Sequence, residues 1–138
     1  MPGGVLLLVV GLSLAPAGLL FQLMASQVRG GAMDTVSHVW GLRTKKLQSS
    51  DEAWRVGHRA ALGHLQAMAW WTWGAVAACL LGALVIRSEE LAGYVLMLVV
   101  GGFTVAVLGH TWRAVVTAHR AVDDRLELAQ QLLGEPRS

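Results

Sequence analysis

Few residues in this chain have the chemistry to bind or react, and five of them are histidines. His64 precedes one long apolar stretch and His110 lies near the end of another. Facing helices of a bundle can present two imidazoles to one haem iron, and an ionisable group at membrane depth is a functional candidate. Position weighs against that reading: His110 is about a turn from Trp112 and Arg113, where an interfacial histidine costs little. His58 and His64 fall on different faces of a helix. No His-x-x-x-His or Glu-x-x-His spacing, paired carboxylates or nucleotide-binding glycine loop marks the apolar stretches. Ser49 and Ser50 have no base placed beside them, so they serve better as helix caps than as nucleophiles. The single cysteine, Cys79, lies in an apolar run, and one thiol builds neither a disulfide nor a thiolate metal site within one chain. These residues read as those of a non-enzyme, with no cofactor and no metal.

The elements that carry them are membrane helices. Of 138 residues, 54% are hydrophobic and 14% charged, which moves the chain away from soluble globular classes. No Asp, Glu, Lys or Arg precedes Arg29, none lies between Arg59 and Arg87, and none between Glu90 and Arg113. About 20 apolar residues cross the hydrocarbon, so each gap holds a span. The spacing predicts an all-α, single-domain membrane protein over residues 1–138, with spans near 5–24, 67–86 and 91–111. Pro16 is expected to kink the first span. That span has no basic n-region and is longer than a secretory h-region, so it reads as a retained helix. Arg87 to Glu90 is so short a connection that spans two and three must form an antiparallel hairpin.

Orientation follows from the basic residues. Six lie between Arg29 and Arg59, four from Arg113 onward, and Arg87 alone lies on the other side. Ten of eleven on one side places the loop 29–66 and the C-terminus in the cytoplasm and the N-terminus outside, in the plasma membrane of a bacterial cell. Trp70, Trp71, Trp73 and Trp112 then form an aromatic belt at the cytoplasmic interface. Basic residues placed in this way point to no nucleic acid.

Small residues recur at helical spacing: Gly4, Gly11, Gly18 and Ala25; Gly74, Ala78 and Gly82; Gly102 and Ala106. Such stripes let helix backbones approach closely. Beyond the third span, Val115, Ala118, Val122, Leu126, Ala129 and Leu133 keep helical spacing, which predicts an amphipathic cytoplasmic helix over 113–133. That helix can continue from the span, lie on the membrane or pack on a partner. Gly134 and Pro136 mark its end.

The loop between the first two spans holds Gly41-Leu42-Arg43-Thr44, a spacer, then Ser50-Asp51-Glu52-Ala53-Trp54 and, after three more residues, His58-Arg59. Ser49 followed by Glu52 is a capping box, so a helix is expected to begin near Ser50. On it Trp54, His58, Ala61, Leu65 and Met68 share a face while Arg55, Arg59 and Gln66 project elsewhere, the pattern of an interfacial helix leading into the second span. Arg43 and Arg59 can bond a phosphate or carboxylate in bidentate fashion and could share one pocket, and Trp54 can anchor the loop among headgroups. Alternatively, Arg43 bonds loop carbonyls or the carboxylates of Asp51 and Glu52 and only fixes the loop.

This stretch, from Gly41 to about Ala61, resembles the signature of the SdpI family of bacterial membrane proteins, named for an immunity protein against a sporulation-delaying toxin. The resemblance implies a multispan membrane protein with a role in toxin immunity or membrane-to-regulator signal transduction; this chain has fewer spans than the longer named member. On that reading Gly41 makes a turn, Leu42 and Thr44 complete the motif, and Arg43 and Arg59 contact an anion or partner. Trp54 anchors the loop and His58 makes a polar contact beside it. The expected partners are the lipid bilayer and either another membrane protein or a peptide toxin. The alternative is an accessory subunit of a larger membrane complex, since three glycine-rich helices bury little on their own.

Overall fold

A computed structural model describes residues 3–32, 35–36 and 41–134. Among them the regular structure is helical: α1 spans Gly3–Gly30, a short 3-10 turn covers Leu47–Ser49, α2 runs Asp51–Val85 and α3 runs Glu89–Leu133. Three helices are long and apolar enough to cross a membrane, as in a multi-pass membrane protein. Both α1 and α3 pack on α2 and touch one another far less, so α2 is the central helix.

Each helix starts and stops where its local chemistry requires. The Ser50 hydroxyl accepts from the Ala53 backbone N–H at 3.1 Å, with Asp51 and Glu52 in the first turn of α2 beside the positive end of its dipole. The helix therefore starts where the sequence placed it, but the Ser49–Glu52 capping box is not made. Ser49 instead donates to the Lys46 carbonyl, closing the 3-10 turn, and Glu52 reaches across to α3. Ser88 caps α3, with Glu89 and Glu90 following, and Gly134 ends it in the left-handed region at φ 69°. Residues 86–88 alone join α2 to α3, so the expected antiparallel hairpin is present.

The Gly4, Gly11, Gly18 and Ala25 stripe of α1 is turned toward α2. A Cβ at Gly4 would lie 2.6 Å from the Ala83 carbonyl oxygen, and one at Gly11 3.0 Å from Cys79 Cβ. At Gly18 it would meet Thr72 and Trp73 side chains at 3.2–3.3 Å. The seven-residue stripe is thus a seam between backbones. Of the second stripe, Gly74 and Ala78 face outward while a Cβ at Gly82 would lie 3.2 Å from Leu7 of α1; of the third, Gly102 is exposed with open space beside it and Ala106 is half-buried. α1 runs through Pro16 as a single helix.

Length decides what lies beyond the hydrocarbon. At 1.5 Å per residue α2 is about 52 Å long and α3 about 68 Å, against roughly 30 Å of bilayer core. Because residues 86–88 tie two ends together, the excess of both helices emerges on the side of the 41–50 loop. The residues before the second span are continuous with it in α2, and residues 113–133 continue α3. The Trp54, His58, Ala61, Leu65 and Met68 face is buried, but against protein: Leu47, Ala114, Ala118 and Val122 at the far end, Ala25 and Val28 of α1 nearer the span.

Candidate functional site

The 41–50 loop folds down onto the emergent ends of α2 and α3 and fastens them together. Gly41 turns the chain at φ +101°, a conformation natural only to glycine, and a Cβ there would collide with the His58 ring and Trp54. With the backbone so close, the Leu42 N–H donates to His58 Nε2 at 2.8 Å, while His58 Nδ1 donates to the Trp54 carbonyl at 2.8 Å. Accepting at one nitrogen and donating from the other defines a neutral imidazole. His58 is 1% exposed, and burial pushes its pKa below the ordinary value, only partly opposed by the bond to Trp54.

Thr44 continues the fastening. Its hydroxyl is 2.8 Å from His119 Nε2 on α3 and also accepts from the Leu47 N–H. Leu47, fully buried, drops into the space left by Gly57 and reaches Ala118. Lys46 pairs with Asp123, and Arg125 donates to Glu52 at 3.3 Å, both exposed at the rim. Asp51 Oδ1 accepts from the Val36 N–H at 2.8 Å, drawing in the start of the loop.

Trp54 does not reach the membrane interface. It is 0% exposed, lies against the His58 ring with centroids 4.2 Å apart, and its Nε1–H has no acceptor among the described residues. The apolar area of the indole serves the packed core of the clasp. Trp73 is half-buried on α1 and donates to Gln22 Oε1 at 3.1 Å, whereas Trp70, Trp71 and Trp112 are exposed. Thus Gly41, Leu42, Thr44, Trp54 and His58 of the motif are engaged in holding the loop. Arg43 and Arg59 are exposed. No hydrogen bond or ion pair joins Arg43 to any described residue, so it bonds neither Asp51 nor Glu52.

The two histidines weighed for haem do meet. His64 and His110 approach at 3.4 Å between Nδ1 atoms, and His64 Nε2 is 3.4 Å from the Thr117 hydroxyl. Close contacts flank them: Thr111 on Met68 at 3.3 Å and a fully buried Ala114. Among the described residues, no three His, Cys, Asp or Glu gather as metal ligands. Sequence reasoning missed His119, Lys46, Asp123 and Arg125; the opposite charges on loop and α3 were the available signal.

The class so defined is a multi-pass helical membrane protein with a loop clasped to a helical hairpin. No protein-family model matches the chain, and no curated protein or solved structure does either.

Proposed function

We propose that this chain is a non-catalytic, SdpI-like protein of a bacterial plasma membrane that acts by contact, giving immunity to an antimicrobial peptide or passing a membrane signal to a partner. Its loop and C-terminus are cytoplasmic and its N-terminus external. Ten of the eleven basic residues, which resist translocation, support that orientation. The observation that carries the reading is the division of labour in the motif: five of its residues hold the clasp, while Arg43 is exposed and without a partner among the described residues. A rigidly mounted, desolvation-tolerant guanidinium suits a carboxylate or phosphate on a binding partner. The test is deletion in the source cell, challenge with a panel of membrane-active peptides, and complementation. Wild type restores resistance and Arg43→Ala at equal abundance does not; equal rescue by both reduces the loop to scaffolding.

A second reading, an accessory subunit, is supported by apolar surface beyond the span. Leu126, Leu128 and Leu132 are exposed on α3, beside a groove of about 290 Å³ bounded by Val56 and Ala129. Stoichiometric co-purification of a larger complex in mild detergent favours this reading over the first.

A further inference from the structure

A groove on α3, separate from the clasp, has the composition of a phosphate site. It is bounded by His64 of α2 and by Trp112, Arg113, Val116, Thr117 and Arg120, and encloses about 290 Å³. Arg113, Val116, Thr117 and Arg120 follow the i, i+3, i+4, i+7 spacing of one helix face. Both arginines are exposed, and neither has a hydrogen bond or ion pair among the described residues. Lys46 and Arg125, by contrast, are neutralised by Asp123 and Glu52. Asp124, one turn past Arg120, makes no ion pair with it.

The position selects the source of the phosphate. Trp112 is 71% exposed, as are Trp70 and Trp71 to 77% and 52%, and the three mark where the apolar stretches of α2 and α3 end. From Arg113 to Arg120 is about 10 Å along the helix, against roughly 5–8 Å of headgroup layer per leaflet. Arg113 thus stands at the hydrocarbon boundary and Arg120 at the outer edge of the headgroups. Exposed arginines there, with the Thr117 hydroxyl and the His64 ring between them, can bracket one phosphate with several charge-assisted bonds.

We infer that this groove binds the phosphate of an anionic phospholipid from the leaflet on the loop side. The ligand class is a lipid carrying net negative charge; inorganic phosphate shares the chemistry but has no chain to lie along the exposed α3 beside Trp112.

Native mass spectrometry of the full chain in mild detergent tests this, with phosphatidylglycerol and phosphatidylcholine of identical acyl chains. Each guanidinium near an anionic headgroup is worth about five-fold in affinity, so wild type should prefer phosphatidylglycerol by about 25-fold. Arg113→Gln/Arg120→Gln should lose most of that preference, while Lys45→Gln/Arg55→Gln, with the same charge change on the same side, should keep it. Equal binding of the two lipids by wild type overturns the inference without recourse to any variant. So does equal loss in both double variants, which is a diffuse charge effect. A millimolar excess of inorganic phosphate should leave lipid binding unchanged; full displacement by it assigns the groove to a free anion and overturns the lipid claim.

Discussion

The backbone N–H of Leu42 and Nε2 of His58, sixteen residues apart, meet at 2.8 Å and lock the loop onto α2. That bond exists only while Nε2 keeps its lone pair, on a ring that is itself buried. Removing the ring strands a part-buried donor and empties the space beneath Trp54. His58→Ala should destabilise the protein by about 1–3 kcal/mol from the orphaned donor alone, seen as a lowered thermal midpoint in detergent. An unchanged midpoint would mean that the loop is not fastened there.

The same bond predicts a pH dependence. The pKa of His58 is lower in the folded protein than the roughly 6.5 of an unfolded histidine, so the fold prefers the neutral ring. Its contribution is fully present above about pH 6.5 and is lost as the pH falls toward and through the lowered folded value. The thermal midpoint of wild type should drop between pH 7.5 and 5, and His58→Gln, which has no proton to gain, should lose part of that slope. Identical slopes would remove His58 as the cause.

Leu47 and Gly57 form a matched pair of large and absent side chains. A mid-helix glycine costs about 1 kcal/mol relative to alanine, so its presence in α2 needs a reason, and Leu47 Cδ2 lying where a Cβ would stand supplies it. Leu47→Ala should cost about 2–5 kcal/mol by leaving a cavity. Gly57→Ala alone should also destabilise, by displacing Leu47. The double variant should cost less than the sum of the two, because the new methyl group occupies the vacated space. Simple additivity would separate the two residues.

The ion pairs at the rim should matter little. Lys46–Asp123 and Glu52–Arg125 are exposed, and such pairs contribute about 0–1 kcal/mol in water. Asp123→Asn should shift the unfolding free energy by less than about 1 kcal/mol, well below Leu47→Ala. A larger loss would give the clasp an electrostatic rather than an apolar basis.

The spans and the hairpin were readable from sequence because absence of charge over 20 residues has one physical solution. The shared face of Trp54, His58, Ala61, Leu65 and Met68 was readable too, since 3.6-residue periodicity survives in any apolar surrounding. What covered that face was not, for lipid and protein leave the same period. The cap moved from Ser49 to Ser50 because either serine serves, and the burial of Leu47 draws residues 47–49 into their own turn. Thr44 and His119 are 75 positions apart, beyond the reach of any local pattern. Of the motif, the string was visible; that most of it is scaffold, with Arg43 left over, required the third dimension.

Everything proposed for Arg43 depends on the clasped loop facing the cytoplasm. Cysteine accessibility tests this in intact cells, with Cys79→Ser as background, Lys45→Cys as probe in the loop and Arg87→Cys as probe in the hairpin turn. A membrane-impermeant maleimide should label Arg87→Cys in intact cells and Lys45→Cys only after permeabilisation. Labelling of Lys45→Cys in intact cells would contradict the account.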